Sequence, residues 1–249
     1  MRFKDVRVRS LADVLKALKT QSKSTRQIWF RGHSKSAWKL IPSLARKSSY
    51  LRGENALIKR FMQNAVPHLE RPATDEWEWM FLMQHHRAPT RLLDWSESPL
   101  TALYFATLTN RRAEGAVWCL DPVALNKEAK LNFDHVTEVP AFGRQDKALT
   151  SYLPSLVHEN PAELNPIAIV GPRNTPRMAA QLGTFTINHR AHIPIERIGE
   201  CKHVWRWLIP ANAKQAIALE LNWLGISALT LFPELDRVAD ISREVLNEL

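Results

Sequence analysis

Leu11, Val14, Leu15 and Leu18 recur at helical spacing behind Ser10, whose hydroxyl suits an N-cap, so the pattern predicts a short amphipathic helix. The polar run 21–27 leads into Ile28 to Arg31, an apolar and aromatic stretch that predicts a strand. Leu57, Ile58, Phe61, Met62, Ala65 and Val66 keep one helical face, and Thr74 with Asp75 and Glu76 opens another helix. Ser98-Pro99 is a helix start, followed by the stripe Leu100, Leu103, Tyr104 and Thr107. Residues 115–120 predict a strand ended by Asp121-Pro122, and 126–160 keeps no sustained period. Strands are expected over 166–170 and 184–188, with a short helix between them starting at Thr175-Pro176. Trp205, Trp207 and Ile209 alternate with Val204, Arg206 and Leu208 as a strand does. A helix over 211–224 ends at Gly225, and a last amphipathic helix is expected after Pro233. Strands and helices mix without strict alternation, which predicts an α+β fold, a mixed and mostly antiparallel sheet flanked by helices.

Composition narrows the picture. A chain of 249 residues with 45% hydrophobic and 24% charged residues is expected to fold as a single domain over 1–249. Its longest uncharged apolar stretch, 98–110, is too short for the roughly 20 residues of a membrane span. The first ten residues carry charges where a signal peptide has its apolar run, and Cys119 and Cys201 lie far apart. A cytoplasmic location with free thiols and no membrane partner is the expectation. No His or Cys spacing predicts a metal; His189 and His192 lack a third ligand nearby.

The eight glycines are scattered, which excludes both the GxGxxG turn and the Walker A loop. Any nucleotide must therefore be held by side chains or a helix N-terminus. Residues 1–50 hold 13 Lys and Arg against Asp5 and Asp13, a local excess of +11 that exceeds the net +9 of the whole chain, and the rest of the chain carries −2. This basic N-terminal segment predicts an anionic partner, nucleic acid or an acidic protein face, with a merely solvated surface as the alternative.

Two motifs stand out. One is WFRGH, residues 29–33, followed by Leu40, Pro42-Ser43 and Arg46; the other is QHHRAPTRLLDWSESPLTALYFA, residues 84–106. With AAQLGTF (179–185) and the tail IPANAK and LGISALTLFPELD, they resemble an FRG domain. Arg87 departs from that family, which more often shows glycine there. The motif order is similar, at one remove, to ADP-ribosyltransferases of the Arg-Ser-Glu type. That resemblance implies an ADP-ribosyltransferase-like core, NAD as the substrate, and Arg31, Ser96 and Gln181 in the three motif places.

Several residues then become candidates. Arg31, with its planar fork, would anchor the NAD phosphates or the nicotinamide ribose, or else form a structural ion pair with Asp94. Arg91 and Asp94 would either pair locally or serve the ligand. Trp95 offers a face for nicotinamide, and a packed core position is the alternative. Ser96 precedes the helix start and would cap it or touch ligand, His86 would be a ligand group, and Gln181 would position a ribose hydroxyl. Gln181-Leu182-Gly183 contains no carboxylate where the transferase pattern has one. Asp94, or failing that Glu97, would then balance the positive charge that develops on the ribose. The expected function is an NAD-dependent ADP-ribosyltransferase or NAD glycohydrolase. The alternative is a non-catalytic nucleotide- or nucleic-acid-binding module in which Lys and Arg of 1–50 bind phosphates and Trp29 and Trp38 stack bases.

Overall fold

Seven strands build one sheet in the order β1-β7-β4-β2-β3-β6-β5. The computed structural model describes residues 1–22, 27–129, 138–141, 147–159, 162–234, 238–239 and 242–243. The strands are β1 (Val6–Arg7), β2 (Trp29–His33), β3 (Leu92–Ser96), β4 (Gly115–Leu120), β5 (Ile167–Ile169), β6 (Gly183–Ile187) and β7 (Val204–Ile209). Only β1 with β7 is parallel; every other neighbouring pair is antiparallel. The fold is therefore α+β, with a mostly antiparallel open sheet and helices packed on it.

The helices are α1 (Leu11–Gln21), α2 (Ser48–Arg52), α3 (Glu54–Ala65), α4 (Glu76–His85), α5 (Pro99–Leu108) and α6 (Pro122–Glu128). Then come α7 (Lys147–Thr150), α8 (Pro176–Ala180), α9 (Lys214–Trp223) and α10 (Ala228–Leu231). Most starts are those the caps predict. Ser10, Asp75, Ser98 and Thr175 each accept from the backbone N–H three residues on. The expected helix over 211–224 divides into a 3-10 turn at Ala211–Ala213 and α9. The helix expected after Pro233 lies largely outside the described residues, as does much of 126–160.

Two faces of the sheet carry separate cores. On one, Phe30, Val117, Cys119, Trp205 and Trp207 pack beneath α1, α5 and α9. Gln21 at the end of α1 accepts from both indoles, Trp205 Nε1 and Trp207 Nε1, each at 2.8 Å, which fixes α1 to β7. On the other face Trp29, Leu93, Trp95, Trp118 and Val204 make a second cluster. Helix α5 lies directly on β2, and Gly32 allows it. A Cβ there would come within 1.9 Å of the Ala102 carbonyl oxygen and 2.7 Å of the Ala106 nitrogen. The small residues Ala102 and Ala106 face the same contact.

The stretch Leu92–Ser96, to which the hydrophobic pattern assigned no element, is a central strand. Its charge pattern reflects alternation. Leu93 and Trp95 enter one core, while Asp94 between them faces the other way and stays 55% exposed. The same alternation corrects the expected local pairing of Arg91 with Asp94, since residues three apart on a strand point to opposite faces. Arg91 pairs instead with Glu54 of α3, through Nε to Oε1 at 2.6 Å and Nη2 to Oε2. Among the described residues no helix is long and apolar enough to cross a membrane.

Candidate functional site

Strands β2 and β3 are neighbours, yet only one register pair, Phe30 with Ser96, joins them. Strand β2 pairs with β4 along its full five residues, and β3 does the same with β6. Beyond Phe30 and Ser96 a side chain takes over the role of the ladder. Arg31 donates from Nη1 to the Asp94 carbonyl at 2.5 Å and from Nε to His33 Nε2 at 3.1 Å. The same Nη1 lies 3.8 Å from Asp94 Oδ2. Burial lowers the Arg31 pKa to about 10, opposed by Asp94, so the guanidinium stays charged at neutral pH. Burial and the Arg31 charge push His33 down to about 3, so the imidazole is neutral and can accept from Arg31.

A cavity of about 310 Å³ opens at this divergence, within the size range of small-molecule sites. Arg31, Arg87 and Arg177 give it three cations, and Asp94 a carboxylate; Phe30, Phe105 and Phe185 supply apolar wall. Burial lowers the Arg177 pKa, opposed by Glu234, and the guanidinium lies 5.0 Å over the Phe232 ring.

The Asp94 carboxylate is aimed rather than loose. Thr90 Oγ1 accepts from the Leu92 N–H at 3.1 Å, so its own proton goes to Gln84 Oε1. With its oxygen so fixed, the Gln84 amide presents Nε2 to Asp94 Oδ2 at 2.8 Å. No motif reasoning singled out Gln84 or Thr90, although both lie inside the 84–106 motif. Their signal was a Gln and a Thr six residues apart, and only the α4-to-β3 connection brings them together.

The candidate residues divide clearly. Arg31, Asp94, Ser96 and Gln181 border the cavity together. Ser96 Oγ donates to the Gln181 carbonyl at 2.7 Å, tying β3 to the α8-to-β6 junction, and accepts from the Ser98 N–H at 2.9 Å, bracing the β3-to-α5 turn. Gln181 Nε2 donates to the Leu231 carbonyl at 2.9 Å, tying α8 to α10. Trp95 also borders the cavity, but its indole is 3% exposed, faces the opposite core and donates to Thr186 Oγ1 at 3.1 Å. The backbone alternation places that ring away from a ligand. Arg91, 2% exposed, is held by Glu54 outside the cavity. Glu97 lies outside it too, accepting from Arg173 Nη2 at 2.5 Å and Gln27 Nε2 at 3.3 Å. Of the histidine doublet it is His85 that lines the cavity, while His86 caps α4.

In the basic N-terminal segment, Trp29 is fully buried and cannot stack a base, while Trp38 is 47% exposed. Arg2 pairs with Asp121 at 2.5 Å and Arg7 with Glu114 at 3.6 Å, so part of that charge is neutralised within the fold. Among the described residues no group of His, Cys, Asp or Glu is placed to hold a metal ion.

Arg87 has φ of +61°, the left-handed region that glycine enters freely and other residues occupy at a cost of about 1 kcal/mol. Arg87→Gly is therefore expected to raise the unfolding free energy by up to about 1 kcal/mol while removing a cation from the cleft. Thermal melts together with a ligand titration check both halves; a destabilised variant would mean that the Arg87 side chain packs more than the backbone strains.

Residues 26–115 match the family model of the FRG domain, a segment that contains β2, β3 and α5. No curated protein and no solved structure matches the chain. The stretch 179–185 and the C-terminal tail lie outside the matched residues.

Proposed function

We propose, for a chain that carries an FRG domain over residues 26–115, that the cleft between β2 and β3 binds NAD and breaks its nicotinamide–ribose bond. ADP-ribose would pass to a macromolecule. The observation that carries this reading is the meeting of Arg31 and an aimed Asp94 carboxylate in a cavity that also holds Arg87 and Arg177. Three cations suit a diphosphate, and guanidinium groups recognise phosphate through paired N–H donors. Arg31 has two donors engaged within the protein, and its Nη2 makes no hydrogen bond among the described residues, leaving it for the ligand.

Breaking the glycosidic bond develops positive charge on the ribose, and a fixed carboxylate stabilises it with no reorganisation at the moment of reaction. Asp94 supplies such a group; Gln84 fixes its position, and the apolar wall limits water. The leaving nicotinamide departs as a neutral base, so no acid is needed for it. Glu97, tied to Arg173, is the lesser candidate for this charge.

Incubation with NAD, following free nicotinamide with and without cell extract, tests the reading. Release that requires extract is the expected result and indicates transfer. Release without extract indicates a glycohydrolase. Binding of NAD with no release leaves a nucleotide-binding module, and absence of binding removes NAD as the ligand.

A further inference from the structure

Phe81, His85 and Met178 form a wall shared by the main cleft and a second, smaller cavity of about 120 Å³. The far side of that cavity comes from the approach to α4, with Arg71 and Ala73, and from Asn174 and Thr175 at the start of α8. Its size is well below the roughly 300 Å³ at which small-molecule sites begin, so it suits one side chain rather than a nucleoside. Its rim is polar. Glu78 there accepts from Arg71 Nη2 at 3.2 Å and from the Thr74 N–H at 2.8 Å, and these contacts keep its pKa below the ordinary value. Arg71 and Asn174 are exposed, so the cavity can be reached from outside without passing through the main cleft.

We propose that this smaller cavity is an acceptor subsite, admitting the nucleophilic side chain of a protein partner to the ligand in the main cleft, with His85 in the shared wall as its general base. The proposal rests on the reading that the main cleft binds NAD. His85 is the one titratable group that borders both cavities. Its Nδ1 makes no hydrogen bond among the described residues, so no protein group commits the ring to one tautomer. Burial lowers its pKa, as do His86 and Arg177, against an opposing contribution from Glu234, so the ring is held in the neutral form that can accept a proton. In the step itself the acceptor's lone pair forms the new bond to the ribose C1′. The electron pair of the glycosidic bond leaves on the nicotinamide nitrogen, and the acceptor's proton passes to the His85 imidazole and from there to water.

The test uses the full chain, NAD labelled in its adenylate half, and cell extract. Wild-type protein is expected to label protein. Asn174→Trp, at an exposed position, fills the mouth of the smaller cavity; labelling should be lost while NAD affinity is unchanged. His85→Gln should label about 100-fold more slowly at saturating NAD, the scale of a lost general base. Its residual rate should also lose the fall at acid pH that protonation of His85 imposes on the wild type. Undiminished labelling by Asn174→Trp overturns the subsite, as does an equal loss of NAD binding in both variants. An unchanged acid limb in His85→Gln overturns the base. Label removed by nuclease rather than protease overturns a protein acceptor. Wild-type protein that binds and cleaves NAD without labelling any protein sinks the subsite alone, whereas failure to bind NAD at all sinks the proposed function with it.

Discussion

Asp94→Asn is expected to bind NAD within a few-fold of wild type and to release nicotinamide at least about 100-fold more slowly, the scale of a lost transition-state charge contact. Asparagine keeps the size of the side chain and its Oδ1 acceptor, so Gln84 Nε2 retains a partner. Only the charge goes. Because the side chain is 55% exposed and Arg31 remains bound to the Asp94 backbone carbonyl, the strand should stay in place. Folding is read by circular dichroism, binding by titration, and turnover by nicotinamide release. Normal turnover in a folded variant would reject Asp94 and make Glu97→Gln the next to examine. A variant that binds NAD poorly would instead assign Asp94 to ground-state recognition.

The second large effect is on stability. Glu54→Ala leaves Arg91, 2% exposed, without its carboxylate, and breaking such a buried pair costs about 3–5 kcal/mol. Against a typical domain stability of about 5–15 kcal/mol, that loss should shift the urea midpoint strongly or unfold the protein at ordinary temperature. The double variant Glu54→Leu/Arg91→Met distinguishes charge from packing. An apolar pair of similar volume is expected to recover most of the loss, because both desolvation costs vanish together. A double variant as unstable as Glu54→Ala would show that Arg91 is needed for shape at the β3 entrance, and the electrostatic account would fall.

Much of this architecture was legible in the hydrophobic pattern because caps and alternation are local signals. Ser10, Asp75, Ser98 and Thr175 announced their helices, and Val204–Ile209 showed its period of two. Strand β3 was missed because two charged residues, Arg91 and Asp94, interrupt its apolar run. They reside on a central strand only because Glu54 neutralises one and the cleft exposes the other. Neither partner is near in sequence, so no local rule could predict the outcome. The choice between the two readings of Trp95 has the same origin: once the segment is a strand, its neighbours decide its direction, and the indole follows Leu93 into the core, the packed position. Arg31 and Asp94 were identified as candidates by motif, while the Gln84–Thr90 relay needed three-dimensional placement. The positive φ at Arg87 marks a position that a glycine would occupy without strain.

The order of the strands bears on how the matched segment can exist. Residues 26–115 contribute β2 and β3 and the first residue of β4, which occupy the middle of the sheet. Their outer neighbours, β6 and β7, come from 183–209. Excised by itself, the segment would present unpaired backbone along both margins, a template for self-association. It would also lack Arg177 and Gln181, which close one side of the cleft. The portion that carries the family's motifs is thus a keystone rather than an arch, dependent on flanking chain for both its solubility and its pocket.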